Sequence, residues 1–188
     1  MSTKHVVLVV SLLIPFFSIQ VSAKDRIANA FITQVNLDFR KNYTEKDLAA
    51  GKVINKAYEE LIQAGGGTDM NEYVRLAKDK YPHLHERLVE YHKLMVTAEN
   101  ALPEKVKKYI LDRRAEVKTW ISNGHINPVN FKRSLRLMGS DVEAMNAREK
   151  AALFGYYPLM TELLENPHYK KFAKGIDEDA EIDEMNKD

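Results

Sequence analysis

The chain has no cysteine among its 188 residues. Small secreted domains often depend on disulfides, so a domain of that kind here must be held by packing alone. The same absence excludes saposin-like and lipid-transfer-like scaffolds and zinc–cysteine sites. Catalytic signals are missing as well. There is no G-x-S-x-G elbow, and no Ser and His pair stands in a recognisable context. Gly65-Gly66-Gly67 lacks the Lys and Ser/Thr that complete a phosphate loop, and it follows a helical pattern rather than a strand. No apolar/polar alternation marks a strand, and no internal repeat is evident. These absences point away from an enzyme, a cofactor and a metal site.

What is present begins with a distinct N-terminus. Lys4 and His5 precede an apolar run from Val6 to Phe17, broken only by Ser11 and Pro15. Val21-Ser22-Ala23 then supplies small residues where a signal peptidase cuts. Residues 1–23 therefore read as a signal peptide, and the protein as secreted and extracellular. The run is shorter than the ~20 residues of a membrane span, and no later segment is apolar enough for one. Removing residues 1–23 removes Lys4 alone among the charges and leaves 27 basic and 27 acidic residues. A neutral chain has no general attraction for nucleic acid. Acids nevertheless crowd the end, at Asp177, Glu178, Asp179, Glu181, Asp183, Glu184 and Asp188. Residues 176–188 are expected to form a solvated, disordered tail. Asn42-Tyr43-Thr44 is a glycosylation sequon.

The remaining span, 24–175, reads as helices around one core. Ile27, Phe31 and Val35 share a face and predict a helix from Asp25 to about Phe39. Thr44 with acids after it opens the next, whose apolar face is Ile54, Tyr58, Leu61 and Ile62. A short helix follows through Met70, Tyr73, Val74 and Ala77. Pro82 opens a helix with Leu84, Leu88, Tyr91 and Met95 on one face, and Val89 and Val96 widening it. Pro103 opens a long helix, in the first turn where a missing N–H costs nothing; Val106, Ile110, Val117 and Ile121 mark its face, with Trp120 beside them. Asn127-Pro128 starts a helix carrying Phe131, Leu135 and Met138. Ser140-Asp141-Val142-Glu143 fits a capping box for a further helix ending at Gly155. Pro158 and Asn166-Pro167 begin two short ones. The expected fold class is all-α: a single compact domain of about eight helices enclosing an apolar cavity.

Two arginines interrupt one of these faces. Between Ile110 and Val117 stand Arg113 and Arg114, so at least one guanidinium lies beside apolar side chains. Such a group can hold a carboxylate through charge-assisted hydrogen bonds. It can equally lay its stem on the core while its head reaches water or pairs with Glu116. The histidines His83, His85 and His92 are too few and too poorly supported for zinc. Lys132, Arg133 and Arg136, between the apolar residues of the Phe131 helix, suit either a solvated face or transient contact with anionic lipid heads.

The order of these features resembles the nematode fatty-acid and retinol binding proteins, over roughly Phe31 to Phe172. Phe39-Arg40-Lys41-Asn42-Tyr43-Thr44-Glu45-Lys46-Asp47 is similar to that family's helix-opening segment. Lys80-Tyr81-Pro82-His83-Leu84 followed by Tyr91-His92, Ala101-Leu102-Pro103-Glu104 followed by Tyr109-Ile110, and Tyr157-Pro158-Leu159 with Asn166 and Phe172 resemble later ones. The Gly65-Gly66-Gly67 run departs from the pattern. The resemblance implies a hydrophobic cavity, fatty acids and retinol as ligands, and no catalysis. Candidate ligand contacts come from the apolar faces: Leu88, Tyr91, Met95, Val106, Ile110, Arg113, Arg114, Val117, Phe131 and Leu135. The faces themselves admit another reading, a secreted interaction protein whose helices fill one another and leave no void.

Overall fold

The computed structural model describes residues 26–64, 70–122 and 125–185. Their helices are α1 (Arg26–Asn29), α2 (Gln34–Arg40), α3 (Glu45–Gln63), α4 (Met70–Lys80), α5 (Pro82–Asn100), α6 (Glu104–Trp120), α7 (Pro128–Glu143), α8 (Ala147–Tyr156), α9 (Met160–Glu165), α10 (Pro167–Ala173) and α11 (Glu178–Met185). A two-residue antiparallel pairing joins α6 to α7, with Ile121 opposite Ile126 and Ser122 opposite His125. The fold is an all-α single domain. The expected signal peptide and the triple-glycine turn lie outside the described residues.

Local chemistry sets most boundaries. The Thr44 Oγ1 accepts from the Asp47 N–H, and the Asp47 carboxylate accepts from the Thr44 N–H and hydroxyl, closing the first turn of α3. Asn127 and Asn166 cap α7 and α10, each followed by proline at the first helical position. Gly175 at φ 76 takes the left-handed conformation that ends α10.

Three expectations are corrected. The N-terminal helix is interrupted, because the Thr33 Oγ1 accepts from the Asn36 N–H and caps a new helix at Gln34. The chain does not restart at Ser140; α7 runs through to Glu143, with the Ser140 hydroxyl donating to the Leu137 carbonyl. The capping box stands six residues later, where Asn146 and Glu149 bond reciprocally. Nor is 176–188 a solvated tail as far as Met185. Its acids open α11, which packs on α10, burying Met185 and bringing Glu181 to His168 Nδ1 at 2.5 Å and Lys171 at 3.3 Å, and Asp179 to Lys132 at 2.5 Å.

The core is continuous. Helix α5 packs against α2, α3 and α4, while α7 packs against α6 and α10. Helix α8 joins the halves by touching both α2 and α6. Leu84, Leu88, Tyr91 and Met95 are buried along α5, as their spacing requires. Val89 and Val96 are not part of that face: they are 49% and 44% exposed. They stand too far round the helix to reach its neighbours.

Candidate functional site

Most of the apolar residues expected at a ligand site come together. Leu88, Tyr91 and Met95 on α5, Val106 and Ile110 on α6, and Phe131 and Leu135 on α7 are all buried in one cluster. The Val117 side chain lies outside the described residues. Beside this cluster, Ile27, Phe31, Arg113, Phe131, Ser134, Leu135 and Met138 line a small apolar cleft of about 10 Å³, room for roughly one water molecule.

Both arginines are engaged by carboxylates. Arg113 Nη1 and Nη2 lie 2.7 and 3.0 Å from the Glu116 carboxylate, with Asp141 at 3.6 Å. Its guanidinium also lies over the Tyr109 ring, 5.8 Å from the centroid. The Ser134 hydroxyl donates to the same Glu116. The pairing with Glu116 was one of the two outcomes open to the sequence. Arg114 donates to Glu99 at 2.5 Å and to the Tyr156 hydroxyl at 3.0 Å, and Tyr156 donates to Glu99 at 2.7 Å. Burial alone pushes the Glu99 carboxyl up, but hydrogen bonds from Arg114 and Tyr156 and the Arg114 charge hold it below its ordinary value.

Next to this closed triangle is a group of buried polar side chains that periodicity does not reveal. Thr33 and Asn36 are each 1% exposed and Tyr91 is 2% exposed. The Thr33 hydroxyl donates to the Met95 sulfur at 3.3 Å. Neither side-chain amide atom of Asn36 completes a hydrogen bond among the described residues. An unpartnered buried amide costs about 1–3 kcal/mol. Burial pushes the Tyr91 phenol well above its ordinary value, with Thr33, Arg114 and Asn36 partly offsetting the rise. Tyr157 also bears on this hydroxyl, and its ring meets Phe31 edge-on at 6.1 Å. Phe31 thus meets the Tyr157 ring and also lines the apolar cleft. A search for apolar spacing passes over Thr33 and Asn36, because they occupy core positions with polar side chains.

Among the described residues, no group of three or more His, Asp or Glu side chains is placed to hold a metal ion. His83 instead faces Asp47 at 3.8 Å. No helix of the described residues is long and apolar enough to cross a membrane. The fold and these residues define an all-α domain with a mixed apolar and polar centre. Comparison with family models, curated proteins and solved structures finds no match to the chain.

Proposed function

We propose that this protein is a secreted carrier of long-chain lipids, fatty acids or retinol, which takes its ligand into the centre of the helical domain. The observation that carries this reading is the convergence of Leu88, Tyr91, Met95, Val106, Ile110, Phe131 and Leu135, from three helices, on one apolar cluster beside a cleft. Met95 and Met138 belong to that lining. Methionine has three rotatable bonds and a polarizable sulfur, so it repacks around a guest at low cost.

The energetics allow such a ligand. A chain of ~16 methylenes transferred from water gives roughly 13 kcal/mol at ~0.8 kcal/mol each. Association costs about 4–15 kcal/mol. Affinity then rests on the chain, with a polar contact adding orientation. No cofactor or catalytic step enters this reading. Arg133, exposed on α7, supplies charge for transient contact with anionic lipid heads during loading or release, whereas Lys132 on the same helix is paired with Asp179.

A second reading has its own support. The cleft holds about one water, and both arginines are already paired. A secreted interaction protein with a filled core has these same features. Titration with an environment-sensitive fluorescent fatty acid, then competition with oleate or retinol, separates the two. Saturable, blue-shifted emission that stoichiometric competitor reverses supports the carrier. Lipid-stripped, folded protein that leaves the probe unchanged sinks that reading and favours the filled core.

A further inference from the structure

Helix α11 is held by a small apolar anchor and by charge. Its eight residues, Glu178 to Met185, include five acids. Met185 is fully buried, and Ile182 packs half-buried against the core. A helix this short does not persist alone in water, because its few hydrogen bonds cannot offset nucleation. It is therefore either docked or unravelled. The link that leads into it holds two left-handed residues, Gly175 at φ 76 and Asp177 at φ 38. Asp177 carries a Cβ, which that conformation crowds.

What α11 covers is cationic. Asp179 lies 2.5 Å from Lys132 on α7. Glu181 lies 2.5 Å from His168 Nδ1 and 3.3 Å from Lys171 on α10. Their acidic partners are two residues apart on one short helix, so these three bases share a face. The Lys132 side chain is only 20% exposed, whereas that of Asp179 is 88% exposed, so the carboxylate already stands in water and can leave. The face keeps its shape without α11. The Tyr169 hydroxyl donates to the Leu135 carbonyl at 2.9 Å and joins α10 to α7, and Phe172 anchors α10 in the core. Arg133, next to Lys132, is exposed. The carboxylates of α11 show what chemistry suits this face: several anionic groups at once, which is how an anionic lipid surface presents itself.

We propose that α11 is an autoinhibitory clasp. Docked, it withholds Lys132, His168 and Lys171 from anionic lipid heads and leaves Arg133 to make a weak first contact. At an anionic surface, lipid heads replace Asp179 and Glu181, α11 unravels, and the freed bases tighten the contact. The assignment rests on the membrane contact of the carrier reading and names what holds the protein off the bilayer between contacts. Docking of α11 and binding to lipid heads use the same bases, so each weakens the other to the same extent.

The test is co-sedimentation of the purified secreted protein with vesicles of phosphatidylcholine alone, or of equal parts phosphatidylcholine and phosphatidylglycerol. Asp179→Asn/Glu181→Gln removes the acids of the clasp. Asp177→Asn/Asp183→Asn changes net charge equally at acids outside these pairs. The first variant is expected to bind anionic vesicles about tenfold more tightly than wild type, the order expected when two lysines reach a charged surface. The second should stay close to wild type. Adding Lys132→Gln/Lys171→Gln to the first should erase its gain. Amide exchange across α11 in wild type should quicken when anionic vesicles bind, and not with neutral ones. Far-ultraviolet dichroism is the folding control. Equal gains in the two acid variants, no gain in the first, a gain that survives loss of the lysines, or unchanged α11 exchange in vesicle-bound protein overturns the clasp. A fluorescent fatty acid titrated into the same samples keeps the two readings apart. A probe that fails to bind while the vesicle pattern holds removes the carrier and leaves the clasp; a bound probe without that pattern removes the clasp alone.

Discussion

The Arg87 guanidinium on α5 donates to the Asp47 carboxylate at 2.5 Å, and Asp47 is itself the side chain that closes the first turn of α3. The same guanidinium donates to the Asn42 carbonyl at 2.7 Å and lies over the rings of Phe39 and Tyr43, 5.6 and 4.8 Å from their centroids. One side chain thus ties the loop between α2 and α3 to α5. Arg87→Ala is expected to lower stability by about 2–4 kcal/mol, since Asp47 is left buried without its cation. Arg87→Lys should recover only part, because an ammonium cannot spread over both rings and bond two acceptors as the planar group does. Urea unfolding of the three proteins checks this, and a loss for Arg87→Ala within 0–1 kcal/mol, the surface-pair range, would count against it.

Acid stability follows from the same carboxylate together with Glu99. Burial raises the pKa of both, yet each ends below its ordinary value, 3.8 for Asp47 and 4.5 for Glu99. Thr44 and Arg87 bring Asp47 down, and Arg114 and Tyr156 do so for Glu99. A group with a depressed folded pKa contributes fully above its unfolded pKa and loses that contribution as pH falls through its folded one. The midpoint of thermal unfolding should therefore be insensitive to these groups near neutrality and fall below about pH 4.5. Asp47→Asn should be less stable at pH 7 and show a shallower acid slope. Equal slopes for variant and wild type would refute the assignment.

Gly139 offers a test whose sign depends on its neighbour. A Cβ built there meets the Tyr169 hydroxyl at 2.7 Å, and that hydroxyl is fixed by donating to the Leu135 carbonyl at 2.9 Å. Gly139→Ala should cost about 1–3 kcal/mol through overpacking. In a Tyr169→Phe background the obstructing oxygen is gone. The same substitution should then be neutral or stabilising, because alanine is favoured over glycine within a helix by about 1 kcal/mol. A double-mutant cycle measured by denaturant reads the coupling directly, and strict additivity would contradict the contact.

The acidic end can be tested by removing it. A chain stopped after Gly175 loses the buried Met185 and the contacts of Glu181 with His168 and Lys171. It should lose about 2–4 kcal/mol, mostly from apolar burial. Amide exchange in α10 should quicken, since α11 packs on that helix. Glu181→Gln should cost less than truncation. Unchanged exchange in α10 would place the acidic segment in solvent after all.

How much of this was legible beforehand depends on the kind of residue. The row Leu84, Leu88, Tyr91 and Met95 announced itself because apolar residues at helical spacing have one economical use, and all four are buried. Val89 and Val96 misled, since spacing says which residues are adjacent on a helix and not how wide its neighbours are. Ser140 and Asn146 both begin capping sequences, Ser-x-x-Glu and Asn-x-x-Glu; only the path of α7 decides between them. The spacing puts at least one of Arg113 and Arg114 beside apolar side chains, and Arg113 lines the apolar cleft. Glu116, three residues from Arg113, was within reach of a local pattern, but the Arg114 partners Glu99 and Tyr156 lie 15 and 42 residues away, beyond any such pattern. The polar core positions Thr33 and Asn36 were hidden because their residue types ordinarily mark turns and caps.

A chain without cysteine carries its oxidisable sulfur in methionine, and Met95, Met138, Met145, Met160 and Met185 are all buried. In an oxidising environment each is shielded only while the segment that carries it stays docked. Sulfoxide formation adds a polar oxygen to a packed apolar site and hinders the return. The order in which peroxide modifies these five residues thus reports the order in which parts of the domain open. The sulfur of Met95, which holds the Thr33 hydroxyl, makes that record readable at the centre of the molecule.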